Sequence, residues 1–238
     1  IIMFGTGGVF YIVAGLYLVS VVVVLPIQSG RIASKTKNQS MGIEIREGFS
    51  YALGDPLLRG LIVMAFVPIL FGMSYYVLLP AWGREVLDIG SDQLGVLQTM
   101  MGVGALFGSV LVAGLSNFRR RGVLILACCV AWGVALILFS GTSSHLIAAS
   151  LLTFIGISSS ICMSINMAML QLFSLPEMRG RVMSIMGMSW GLMPFSAIPF
   201  GFIAERYSSA DAILISGILM TVFTLVFTLS YPSFRGIE

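Results

Sequence analysis

Charge is what this sequence has least of. Its 238 residues hold 13 Lys and Arg, 10 Asp and Glu and one His, a charged fraction of 10% where soluble domains carry about a quarter. A chain so poor in charge and 58% hydrophobic belongs in a bilayer. The net charge of +3 is small, and the basic residues lie in short bridges between apolar runs, so no nucleic-acid partner is expected. Cysteine is scarce too. Cys128, Cys129 and Cys162 all fall inside apolar runs, so neither a disulfide framework nor a CxxC metal or redox motif is available, and they read as small buried hydrophobes. His145 sits in "GTSSHL" with no His, Cys or Glu at ligand spacing, so no metal site is expected. HExxH, GxSxG, a P-loop and paired carboxylates within the apolar runs are all missing, which argues against an enzyme and leaves no cofactor to expect. An initiator Met is missing as well. Ile1 opens in the middle of an apolar run, without a basic flank or a small-residue cleavage site, so the expectation is a fragment with something upstream.

What the sequence has is length of apolar run. Seven stretches can cross a hydrocarbon core of about 30 Å as helices, near Ile1–Ile27, Leu57–Pro80, Leu94–Leu115, Val123–Ser140, Leu146–Leu175, Val182–Ala204 and Ala212–Tyr231. They lack the alternating polarity of barrel strands, so an all-α polytopic membrane protein is predicted. If the spans alternate, Arg31, Lys35, Lys37, Arg46, Arg59, Arg119, Arg120, Arg121, Arg179, Arg181 and Arg235 share one side. The other side receives only Arg84 and Arg206, beside Glu85, Asp88, Asp92, Glu205 and Asp211. The positive-inside rule makes the first side cytoplasmic, with Ile1 outside and the C-terminus inside.

The longest bridge, residues 28–56, begins as the polar tract "QSGRIASKTKNQS" and continues as "MGIEIREGFSYALGDP". Ile45, Phe49, Ala52 and Leu53 share a helical face there, opposite Glu44, Arg46 and Glu47. That spacing predicts an amphipathic helix on the membrane face, ended by Asp55-Pro56, and the alternative for so short an apolar face is a solvated linker. The six spans that follow divide into two triples, each with an interrupted middle helix. One carries Gly95, Gly102, Gly104, Gly108 and Gly114; the other carries Gly187, Gly191, Pro194, Pro199 and Gly201. Paired interruption in corresponding segments points to a transporter's pathway, and triples, having an odd number of crossings, must be inverted repeats.

With these features in place, the chain resembles the C-terminal half of a major facilitator superfamily transporter. "REGFSYALGDPLLRGL", "LLPAWGREVLDIGSDQLGVLQTMMGVGALFGSVL" and "PEMRGRVMSI" are similar to the branch that includes bacterial siderophore and macrolide exporters. The resemblance implies that residues 1–27 are the last helix of a missing N-terminal bundle, 28–56 the cytoplasmic linker and 57–238 a C-terminal six-helix bundle. It also implies no bound cofactor, an unidentified small-molecule substrate, and transport by rocking of two bundles about a central cavity. The family's cytoplasmic signature is a Gly, an Asp and a basic cluster. Gly114 and Arg119 to Arg121 fit it, Asn117 stands near the Asp position, and Arg179 and Arg181 in "PEMRGR" form the matching turn of the second triple.

No span holds a charged residue at mid-depth, so if transport is proton-coupled the carboxylate belongs to the missing half; Glu85 and Glu205 read as solvated helix caps, with a coupling role as the alternative. The remaining cavity candidates are uncharged. Gln98 shares a face with Gly102, Ala105 and Ser109; Asn166 aligns with Ser159 and Cys162, and Gln171 with Ser160 and Ser164. Amides in lipid must face protein or water, and the alternative role for Gln98 and Asn166 is helix–helix glue. Met183, Met186, Trp190 and Met193 form a stripe suited to an apolar ligand or to ordinary packing, and Tyr75 and Tyr76, near the end of Leu57–Pro80, suit the same ligand or an interfacial aromatic belt. Gly104, Gly108, Gly187 and Gly191 are expected to pack helices closely. A transport-incompetent sensor or scaffold on the same bundle is the alternative function.

Overall fold

The computed structural model describes residues 5–25, 41–114 and 120–236, and every regular element among them is helical. Contacts group the chain into two units, Ile1–Ser40 and Met41–Glu238. The first unit holds α1, Gly5–Val24, 20 residues that are apolar on every side. The ends of the expected crossing Ile1–Ile27 lie outside the described residues, as do Arg31, Lys35 and Lys37 of the polar tract.

The second unit begins with α2, Met41–Gly54, and continues through six segments long and apolar enough to cross a membrane: Pro56–Val86, Ser91–Gly114, Arg121–Ser140, His145–Phe173, Arg179–Arg206 and Ser209–Ser230. Each falls within a few residues of an expected span. Asp55 does end α2, and its carboxylate also caps the next helix, accepting from the Leu57 and Leu58 amides at 2.7 and 3.1 Å while Pro56 fills the first helical turn. The linker helix thus belongs with the six spans, not apart from them. Its inward face is Gly48 and Ala52, with Phe49 and Tyr51 half-buried and Leu53 exposed, so Leu53 leaves the apolar face that the periodicity assigned to it.

Two spans are not single helices. The first is α3 (Pro56–Val67), a π-helical turn at Pro68–Gly72 and α4 (Ser74–Val86); the Met73 amide reaches back to the Pro68 carbonyl at 2.8 Å. Between them lie α5 (Ser91–Gly114), α6 (Arg121–Ser140) and α7 (His145–Phe173), all continuous. The fifth span is α8 (Arg179–Trp190) and α9 (Met193–Arg206), parted at Gly191-Leu192 with Pro194 in the first turn of α9, and α10 (Ser209–Ser230) completes the set. The expected pair of interruptions was the glycine-rich α5 and the proline-bearing fifth span. The observed pair is the first span and the fifth. Glycine keeps its N–H, so α5 continues its hydrogen-bond ladder through Gly95, Gly102, Gly104 and Gly108, whereas Pro68 has no N–H to donate.

The helices meet at glycines. A Cβ on Gly104 would overlap the Thr153 carbonyl oxygen, one on Gly156 the Met101 carbonyl oxygen, and one on Gly108 would stand 2.7 Å from the Ile157 carbonyl oxygen, so α5 and α7 touch backbone to backbone. The same occurs where α6 crosses α10: a Cβ on Gly217 would stand 2.8 Å from the Gly133 carbonyl oxygen, and one on Gly133 would overlap the Thr221 hydroxyl. Gly187 and Gly191 make no such approach among the described residues. Among the described residues Gly187 has nothing within 4 Å of its Cβ position, and Gly191 meets only the Met188 carbonyl of its own turn at 3.1 Å, because it sits at the helix break. Gly156→Leu should therefore destabilise the protein by about 1–3 kcal/mol through overpacking, while Gly187→Leu should leave the melting temperature within error. Thermal unfolding of both variants in one detergent checks this, and equal losses would contradict the contact assignment.

Candidate functional site

Because the helices alternate in direction, Arg46, Arg59, Arg120, Arg121, Arg179, Arg181 and Arg235 share one end of the Met41–Glu238 unit. Several side chains there tie elements together. Arg181 Nη1 pairs with Glu47 Oε2 at 2.5 Å, the Leu175 amide donates to the Tyr51 hydroxyl at 3.1 Å, and a Cβ on Gly48 would lie 3.1 Å from Arg181 Cβ. These contacts fasten α2 to the turn between α7 and α8. Arg59 stands 5.7 Å from the Tyr231 ring, within cation–π range, and Arg121 donates to Met169 Sδ at 3.7 Å. Arg120, Arg179 and Gly114 are exposed, and Asn117 and Arg119 lie outside the described residues. At the opposite end Glu85 Oε2 accepts from the Ser209 amide at 2.9 Å and the Ser209 hydroxyl at 2.5 Å, so this carboxylate caps α10 from the end of α4.

Between the two ends the breaks come together. The Ser196 hydroxyl, one turn into α9, donates to the Met193 carbonyl at 2.8 Å and stands 3.5 Å from the Ile69 carbonyl in the π turn of the first span. Beside this junction is a cavity of about 60 Å³ lined by Ala65, Ile69, Asn166, Met186, Ser189 and Trp190 among others. Asn166 is 2% exposed; its Nδ2 donates to the Leu61 carbonyl at 3.1 Å, and its Oδ1 has no hydrogen-bond partner among the described residues. A buried amide oxygen without a donor costs about 1–3 kcal/mol, which a water, a ligand or another part of the protein would recover.

The structure gathers some of the expected cavity residues and separates others. Asn166 and Trp190 share the cavity, and Trp190 is also 50% exposed on the surface. Gln98 is half-buried on α5, Gln171 is exposed near the end of α7, and Met193 is half-buried at the start of α9; none of the three lines that cavity. Tyr75 departs from its expected place. It is 1% exposed and its hydroxyl lies 2.7 Å from Met101 Sδ, so it fills the contact between α4 and α5 instead of facing a pathway. Ile69, Ser189 and Ser196 were not singled out from the sequence; the signal available was their position beside Pro68 and the Gly191–Pro194 segment. Among the described residues no group of three His, Cys, Asp or Glu stands close enough to hold a metal ion.

Six long apolar helices around a buried amide, two of them broken beside it, define an all-helical, multi-pass membrane protein. The sequence pattern of the Major Facilitator Superfamily matches residues 1–197, and the chain belongs to that family of membrane transporters. It is similar to the staphyloferrin A transporter of Staphylococcus aureus (strain NCTC 8325 / PS 47), 23% identical over 171 residues that make up 71% of this chain and 42% of that protein. The match thus takes in less than half of that relative's length.

The docking of α2 predicts a charge-reversal result. Arg181→Glu should lower stability by about 0.2–1 kcal/mol, the range for an exposed ion pair, and adding Glu47→Arg should restore most of it. A double-mutant cycle by thermal unfolding measures the coupling, which should vanish if the pair contributes nothing.

Proposed function

We propose that the chain is the C-terminal part of a secondary active transporter that exports small amphipathic molecules by alternating access. In this reading α1 is the last crossing of an N-terminal bundle, residues 28–56 link the bundles, and residues 57–238 form the second bundle. The meeting of two discontinuous spans beside Asn166 carries the reading, since broken helices in bundles of this kind supply backbone and side-chain groups to a pathway. The exposed faces of α5 and of α8–α9 support it: they carry Gly102, Ser109 and Trp190 on the least buried of the six spans, where a second bundle can seat. Inverted triples are supported by exchange of contacts. The second span lies on the fourth as the fifth lies on the first, and the third pairs with the sixth.

The end rich in arginine is cytoplasmic in this proposal, in the cell membrane, which follows from the bias of basic residues. Proton coupling falls to a carboxylate outside the described spans, because no described span holds a charged residue at mid-depth and Glu85 is occupied as a cap. A relative whose name is that of a transporter supports transport over a sensor or scaffold.

Trp190→Ala should reduce substrate flux severalfold with little change in melting temperature, because the ring is half-exposed. Asn166→Leu should reduce flux by a similar factor and destabilise by only about 0.6–2 kcal/mol for the lost bond to Leu61. Flux assays on the full-length protein in liposomes, paired with unfolding curves, check both; full activity in both variants would remove this cavity from the pathway. Orientation is checked separately in a background without the native cysteines. An impermeant thiol reagent applied to intact cells should label Cys at position 145 and not at position 120, and the reverse pattern would invert the topology.

A further inference from the structure

A concavity larger than the Asn166 cavity lies away from the helix breaks. It is a groove of about 670 Å³ between α6, α7 and α10, and none of its lining residues lies on α5, α8 or α9 or borders the Asn166 cavity. Its floor is a run of small side chains on α6, including Ala127, Val130, Ala131 and Val134, and Phe154 of α7 and Leu225 of α10 stand as its walls. The α6 residues that line it extend from Val123 to Leu138, about 22 Å at the helical rise, which is more than one leaflet of a core about 30 Å thick.

The lining is apolar except at one end. There Thr228 and Arg235 border the groove, and Arg235 donates through Nε and Nη2 to the Thr228 carbonyl at 3.2 and 2.5 Å. Thr228 is in the last turn of α10, where carbonyls lack helical partners, so this contact satisfies a stranded acceptor and holds the guanidinium at the groove's mouth. A guanidinium has five N–H donors, so three remain for an anion. The side chain is exposed, at the arginine-rich end of the bundle.

We propose that this groove binds one anionic phospholipid from the leaflet at the arginine-rich end, with an acyl chain laid along α6 and the phosphate on Arg235. Shape supplies the chain site, because small residues on α6 leave a channel that a flat helix face would not have. Charge supplies the headgroup preference, because one basic side chain near an anionic surface contributes about 1 kcal/mol, roughly a fivefold ratio. The proposal needs only that these helices span a bilayer; it does not depend on the direction of transport or on which side is cytoplasmic.

The test exposes the full-length protein in detergent to an equimolar mixture of phosphatidylglycerol and phosphatidylcholine with identical chains, then counts retained lipids by native mass spectrometry. The expected result is about fivefold more phosphatidylglycerol than phosphatidylcholine on the wild type, loss of that preference in Arg235→Gln, and loss of both lipids in Val134→Trp. Val134 is 41% exposed and tolerates a larger side chain; Ala127→Leu, also at an exposed position, is a second way to fill the groove should the tryptophan impair folding. Leu229→Trp places the same bulk on a residue that is 74% exposed and outside the groove, and it should retain phosphatidylglycerol as the wild type does. Equal retention of the two lipids by the wild type, preference that survives Arg235→Gln, binding that survives a filled groove, or an equal loss in Leu229→Trp would each overturn the proposal.

Discussion

Backbone contact at glycine is the constraint on which the six-span unit rests. Lipid tails are as apolar as leucine, so burying hydrophobic surface gives membrane helices little reason to choose one neighbour over another. Close approach does give a reason, through dispersion and through contacts between one backbone and the next. At Gly104, Gly108 and Gly156 α5 and α7 come so near that no Cβ fits, and Gly133 and Gly217 do the same for α6 and α10. Around those two crossings the large side chains find fixed places: Trp132 and Met220 pack on Gly72, and Trp82 lies 4.1 Å from Phe139 between ring centres.

The same tightness shapes the candidate site. With α5 held on α7 and α6 on α10, the first and fifth spans meet at their weakest points, the π turn after Pro68 and the break at Gly191-Leu192. Interrupted helices expose backbone groups that lipid cannot satisfy, so the breaks must lie against protein or water. They lie against each other, with Ser189, Ser196 and Asn166 supplying the polar atoms and Asn166 Oδ1 left over. The leftover acceptor and the half-exposed Trp190 ring beside it are what distinguish this cavity from ordinary bundle packing.

A different economy holds at the ends of the bundle. There charged groups are near water, and each fastens one element to another: Glu47 to Arg181, Glu85 to Ser209, Arg235 to Thr228. Exposed contacts of this kind contribute little energy apiece, but they decide where α2 and the last residues lie. The result is that α2 is fastened to the spans that follow it, since its Gly48 is pressed on Arg181 and its Tyr51 on the α7–α8 turn.

The sequence by itself determined the six spans of this unit, the alternation of basic and acidic turns, the stop at Asp55-Pro56 and the resemblance to a transporter family. All of these depend on local length, hydropathy and charge, which each segment carries without reference to its neighbours. It also picked out Asn166 and Trp190, because a buried amide and an aromatic in an apolar run are conspicuous. Tertiary structure alone decided that Tyr75 points into α5, that Gly133, Gly156 and Gly217 are contact points, and that α5 stays whole while the first span breaks. A glycine or a serine has the same composition on a lipid face as at a crossing. Which one it occupies is set by the helix that lies opposite, and that neighbour comes from elsewhere in the chain, at a separation no local pattern records.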